Sequence, residues 1–157
     1  ETQSRFEDSD YERWQRVFQL NVFGTMLCCQ HAVRQMSARF GGLGGAIVNV
    51  SSLASVTGAP NEYVDYAASK GAVDSFSKGL AKEVAAEGIR LNVVRPGFIY
   101  TDMHADGGEP GRVDRLAPQI PMQRGGQAEE VAQAIMRLIS EQASYTTGGF
   151  IDVAGGR

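Results

Sequence analysis

Four side chains in this sequence could together move a proton. Tyr66 and Lys70 stand four residues apart in the alanine-rich stretch Tyr63-Val64-Asp65-Tyr66-Ala67-Ala68-Ser69-Lys70, which reads as helix. On a helix that spacing stacks the phenol and the ammonium on one face. A free tyrosine titrates near ~10 and is a poor acid or base at neutral pH. A cation held ~4 Å away at an effective dielectric of ~20 favours the phenolate by ~4 kcal/mol, an upper bound of about three pKa units. The spacing therefore predicts a tyrosine drawn toward neutrality by Lys70, although an alanine-rich helix can also carry such a pair by chance. Ser51 and Ser52 close the apolar run Ala46-Ile47-Val48-Asn49-Val50. In open α/β sheets ligands collect at the carboxyl ends of strands, so a serine there is either a reacting-site hydroxyl or a turn hydroxyl bonding its own backbone. Asn21 falls on an apolar helical stripe, where its amide needs partners in either a structural or a catalytic role.

These residues need elements to hold them. Ser9 and Glu12 form a capping-box signal for a helix starting near Asp10, and Trp14, Val17, Phe18, Val22, Met26, Cys29, Val33 and Met36 follow at helical spacing. One long amphipathic helix is expected, ended by the glycines at 41, 42, 44 and 45. Residues 46–50 read as a strand buried on both faces, Tyr63 to Ala86 as a second helix, and Ile89 to Val94 as the next strand, stopped by Arg95-Pro96-Gly97. Strand, helix and strand at this length make a βαβ crossover. Gly71, Ser75 and Gly79 form a small-residue face on the second helix, suited to close packing against a neighbouring subunit. Residues 97–127 are rich in glycine and proline and read as a lid or binding segment with a short helix near Arg112 to Leu116. Its charges, Asp102, His104, Asp106, Arg112, Arg115 and Arg124, are expected to be solvated. A third amphipathic helix, Ala128 to Glu141, and a strand at 150–153 complete the chain. The order of elements specifies α/β with a parallel sheet.

Composition narrows the partners. A net charge of -3 without a dense basic run argues against nucleic acid, and no apolar run is long enough to span a membrane. With no secretory signal pattern in the acidic opening residues, a cytoplasmic location is expected. Cys28 and Cys29 are adjacent, a spacing unsuited to a structural disulfide or a zinc site, and His31 and His104 lack partners at ligand spacing, so no metal is expected.

Taken in order, Asn21-Val22-Phe23-Gly24, Ile47-Val48-Asn49-Val50-Ser51-Ser52, Tyr66-Ala67-Ala68-Ser69-Lys70, Asn92-Val93-Val94-Arg95-Pro96-Gly97 and the closing Thr147-Gly148-Gly149 to Gly156 resemble the short-chain dehydrogenase/reductase family along the whole chain. The resemblance implies an NAD- or NADP-dependent oxidoreductase that interconverts a small-molecule carbonyl and a secondary alcohol. It implies Tyr66 as general acid/base, Ser52 as the hydroxyl on the reacting oxygen, Lys70 as the residue that tunes Tyr66 and holds the nicotinamide ribose, and Asn21 as the holder of a relay water. After Pro96 and Gly97, Ile99 and Thr101 resemble the positions that grip the carboxamide, and the 97–127 segment resembles the substrate lid. The family's opening Thr-Gly-x-x-x-Gly-x-Gly turn and its Asn-Asn-Ala-Gly stretch do not occur in these residues. The expectation is therefore a single, amino-terminally truncated Rossmann-like domain over 1–157, a doubly wound parallel sheet reduced to its last three strands and their helices, in which the cradle for the cofactor pyrophosphate is missing. Such a chain implies weak cofactor binding on its own. Its alternative role is that of an inactive fragment which associates, as a homodimer or homotetramer, through the two long helices.

Overall fold

The structure, a computed structural model, describes residues 1–157. Three parallel strands form the main sheet: β1 (Gly45–Val50), β2 (Ile89–Pro96) and β5 (Phe150–Val153), in the order β1-β2-β5. Gly45 pairs with Ile89 and Val50 with Val94, while Val93 pairs with Phe150 and Pro96 with Val153. The centre of this sheet is β2, whose residues Leu91 to Val94 are all buried. That explains its unbroken apolar character, since a strand covered on both faces has no solvent side to mark with polar residues. Asn92 is the exception and is satisfied in full. Its Nδ2 donates to the Thr146 carbonyl at 2.8 Å and its Oδ1 accepts from the Gly149 amide at 3.0 Å, which docks the approach to β5.

Helices cover both faces. The crossover helix α4 (Val64–Val84) joins β1 to β2 on one side, where its Asp74 meets Arg95 of β2. On the other, α7 (Ala128–Ile139) places Val131 and Leu138 in a cluster with Val94, Ile99 and Ala143. Gln127 and Glu130 make a capping box at the start of α7, satisfying amides that the first helical turn leaves open.

The opening helix differs from the uninterrupted α-helix that its apolar stripe predicts. It runs as α1 (Tyr11–Phe18), a π-helical segment over Gln19–Gly24, and α2 (Thr25–Met36). Asp10 caps it by accepting from the Arg13 amide at 2.7 Å. The wide turn inserts about one residue into the helical repeat, and such insertions sit often at functional sites. Here it contains Asn21.

Residues 97–127 are more structured than a loop. Beyond the expected short helix, α6 (Arg112–Leu116), they hold another, α5 (Met103–Asp106), and a two-residue strand β3 (Ile99–Tyr100) that pairs in parallel with β4 (Gly126–Gln127). The pairing of β3 and β4 clamps both ends of the segment beside the main sheet. A short helix, α3 (Ala54–Thr57), fills the connection between β1 and α4. No helix is long and apolar enough to cross a membrane.

Candidate active site

Each candidate residue is delivered by a different element to one cavity of about 1100 Å³, at the carboxyl end of β1 and β2. Asn21 comes from the π turn, Ser52 from the residues after β1, and Tyr66 and Lys70 from the first two turns of α4. Pro96, Gly97, Ile99 and Thr101 follow from the end of β2 and from β3, and all eight line the cavity.

Around the tyrosine the electrostatics depart from the expected pairing. Burial pushes the Tyr66 phenol above its ordinary value of 10.0, and a hydrogen bond with Ser52 opposes that shift without reversing it. The Lys70 ammonium lies 5.6 Å from the centre of the Tyr66 ring and donates instead to the Val50 carbonyl, at 3.0 Å. Burial lowers the Lys70 pKa while Asp74, one turn along α4, raises it. The expectation that Lys70 draws Tyr66 toward neutrality is thus corrected. A backbone carbonyl at the end of β1 captures the lysine, and desolvation of the phenolate wins. Tyr66 is held as a protonated phenol at neutral pH.

The two serines divide their work. Ser51 is buried and its Oγ donates to the Lys70 carbonyl at 3.3 Å, tying β1 to α4. Ser52 Oγ accepts from the Ala54 amide at 3.1 Å, the turn contact expected of a strand-end serine. That bond uses a lone pair and fixes the oxygen beside Tyr66, leaving its proton to donate into the cavity. Asn21 Nδ2 donates to Ser69 Oγ at 3.0 Å, and Ser69, fully buried, donates to the Tyr66 carbonyl at 2.7 Å. The π turn is thereby bolted to the helical turn that carries the tyrosine.

A buried ion pair fixes the same turn from its other side. Arg13 of α1 donates to Asp65 through Nε at 2.6 Å, with both side chains almost wholly covered. Burial pushes the Asp65 carboxyl up, but the Arg13 guanidinium and backbone amides outweigh it and hold the pKa below the usual carboxylate value. Gly97 is required where β2 leaves the sheet: a Cβ there would stand 2.9 Å from both Cα and Cβ of Ala154. The closing glycine-rich tail therefore packs directly against the site's floor.

Sequence reasoning missed Arg112. It is 6% exposed, among the least exposed charged residues, rather than solvated with the other lid charges. Its guanidinium lies 5.0 Å from the Tyr63 ring and 5.5 Å from that of Phe98, and it pairs with Glu62, 50 residues away. Nothing local marks that pairing beyond an acid immediately before Tyr63. Among the other lid charges, His104 holds the Ile99 carbonyl at 3.0 Å, and Arg115 and Arg124 pair with Glu109 and Glu130 at the surface.

Comparison with known proteins agrees with this geometry. A family model described as enoyl-(acyl carrier protein) reductase matches residues 1–157, and an uncharacterized oxidoreductase of Escherichia coli, YgfF, is 65% identical over 156 residues. This chain belongs to the short-chain dehydrogenase/reductase family. The match to the Escherichia coli relative covers 99% of this chain and 63% of the relative. Among short-chain dehydrogenase structures, acetoin dehydrogenase YohF from Salmonella typhimurium superposes with a TM-score of 0.83 at 37% identity, covering 99% of this chain and 59% of that one. A protein from Agrobacterium tumefaciens with bound NADP gives a TM-score of 0.88 at 30% identity, over 98% and 62% of the two chains. The chain thus spans about three fifths of the length of the relatives it matches. The fold is Rossmann-like, with the parallel order that the sequence implied.

Proposed function

We propose that the protein carrying this chain is an NAD(P)-dependent oxidoreductase that interconverts a carbonyl and a secondary alcohol, with Tyr66 as general acid/base. The observation that carries the reading is the convergence of Tyr66, Ser52, Lys70 and Asn21, from three separate elements, on one cavity at the strand ends. The residues fit the nicotinamide end of a dinucleotide. An ammonium has three donors, and Val50 takes only one of those on Lys70, which leaves two for ribose hydroxyls. Pro96, Gly97 and Ile99 would flank the nicotinamide, with the Thr101 hydroxyl on its carboxamide. The bound cofactor supplies or receives the hydride.

The protein's own part is proton handling and alignment. In reduction, the Ser52 hydroxyl donates to the carbonyl oxygen and fixes it beside Tyr66. Tyr66, kept protonated by burial, then gives its proton to the same oxygen as negative charge develops there. Asn21 holds the Tyr66 turn through Ser69 and stands beside a water path that would return a proton past Lys70. The relative that binds NADP and the acetoin dehydrogenase relative support the cofactor and the carbonyl class.

Tyr66→Phe in the full-length protein tests this reading. Loss of the acid should lower the turnover of carbonyl reduction by about 10²- to 10⁴-fold while leaving the NADPH dissociation constant, followed by cofactor fluorescence, nearly unchanged. Retained turnover would remove Tyr66 from the mechanism.

A second reading, association of copies through the two long helices, is favoured by one observation. Leu20, Phe23 and Leu27 are exposed on the first helix, and a side chain added at Gly79 of α4 would meet nothing within 4 Å. Gly79→Leu therefore fits the single chain without a clash, so any change it causes reports on a contact between molecules. Sedimentation velocity should show a shift toward monomer; an unchanged distribution would clear this face of a role.

A further inference from the structure

The most unusual group in the cavity outside the proposed acid/base set is the Arg112 guanidinium. Nη2 donates to Glu62, and Nη1 is buried without a hydrogen-bond partner. The nearest carboxylate to Nη1, Glu109, stays 3.7 Å away because its oxygens are already engaged by Gln3 and Arg115. If Arg112 served only to latch the lid to Glu62, one amino group would suffice. Leaving a charged donor buried and unmade is costly, so its persistence points to a partner that arrives with the ligand. The arginine lines the same cavity as Tyr66. Its guanidinium faces the Tyr63 ring, and that ring meets Tyr66 edge-on at 6.4 Å between centres.

Charge selects the kind of oxygen that Nη1 would meet. Arg112 and Arg115 are matched by Glu62 and Glu109 within one connected set of ion pairs. The cluster carries no surplus positive charge for an anion, while its two carboxylates would repel one. We propose that Arg112 is a specificity-determining residue that reads a second, uncharged oxygen of the substrate, so that the preferred substrate is a hydroxylated ketone or its polyol counterpart. This rests on the oxidoreductase reading and adds the substrate class to it. The aromatic faces of Tyr63 and Phe98 hold the guanidinium in plane, which makes its donors directional.

The test is steady-state reduction by the full-length enzyme, with NADPH and NADH, of 2-hexanone, its 3-, 4-, 5- and 6-hydroxy derivatives, and 5-oxohexanoate. The expected result is a kcat/KM for at least one hydroxyketone about 10- to 100-fold above that for 2-hexanone. Arg112→Met should remove that preference and spare 2-hexanone. Arg112→Lys, which keeps a cation for Glu62 but loses the second amino group, should act likewise and guards against a folding defect. Equal losses on every substrate would make Arg112 a latch only and overturn the proposal, as would a preference for 5-oxohexanoate or none at all. Turnover of 2-hexanone without such a preference leaves the oxidoreductase reading standing, whereas no turnover of any member overturns both.

Discussion

The β1-α4-β2 crossover and the 97–127 segment both border the cavity, yet they are held by different forces. In the crossover, strands exchange backbone ladders, Leu91 to Val94 are buried, and polar contacts are internal: Asn49 Nδ2 donates to Ser77 Oγ at 2.8 Å and Arg13 pairs with Asp65 out of solvent. In the lid, two-residue strands and short helices are fastened by side chains: Arg112 to Glu62, Arg115 to Glu109, Arg124 to Glu130, and the Tyr100 hydroxyl to Asp114 at 2.7 Å. Packing places the proton-moving residues, whereas ion pairs place the residues that contact the variable part of a substrate. Such a division lets the chemistry stay rigid while the recognition surface opens and recloses.

The sharpest way to break this contrast is at the buried pair. Asp65→Ala leaves the Arg13 guanidinium covered and unpaired, and urea unfolding should show a loss of about 3–5 kcal/mol. A double change to Arg13→Met and Asp65→Leu should recover most of it, and a single-variant loss below about 1 kcal/mol would place the pair with the solvated ones. A smaller effect is expected at the lid. Arg115→Gln should leave the unfolding midpoint unchanged, since its partner Glu109 is a surface contact. Limited proteolysis followed by mass spectrometry should nonetheless show faster first cleavage within 97–127, and high salt should do the same to the unsubstituted protein.

The smallest effect concerns Glu130. The Arg124 guanidinium and the Gln127 amide hold its pKa down, from 4.5 to about 2. A depressed folded-state value contributes stability that is fully present above 4.5 and disappears as pH falls through about 2. The melting-temperature difference between the unsubstituted protein and Glu130→Gln should accordingly be constant above 4.5 and vanish near 2. A difference that persists at the lowest pH would show that Glu130 acts through packing or capping instead.

What the sequence reveals follows the same line between packing and side-chain contacts. The two long helices, three strands and their parallel order are legible because burial writes a period into the chain, and Gly88 and Gly97 mark where elements stop. The cavity's Asn21, Ser52, Tyr66 and Lys70 are legible by motif. Three things are not. The π turn at Gln19–Gly24 leaves residues of the same types on the buried side, so its extra residue is silent in the apolar pattern. The direction of the Tyr66 shift depends on which acceptor Lys70 finds, and that acceptor, the Val50 carbonyl, is a backbone group present at every residue. The burial of Arg112 requires Glu62, Tyr63 and Phe98 to converge from two separate stretches, a tertiary fact with no local signature.

The π turn also sets how the opening helix can change. Between Asp10 and Met36 one residue of surplus separates two stretches of ordinary helical phase, so α1 and α2 present faces that no single α-helix could present together. Deleting one residue within 19–24 would turn the helix on one side of it by about 100° relative to the other. Asn21 would then lose either its bond to Ser69 or its place beside the Val17 and Val22 packing, while both flanking helices kept their hydrogen bonds. A three-base deletion is thus the smallest genetic step that could detach Asn21 from Tyr66 without disturbing the sheet.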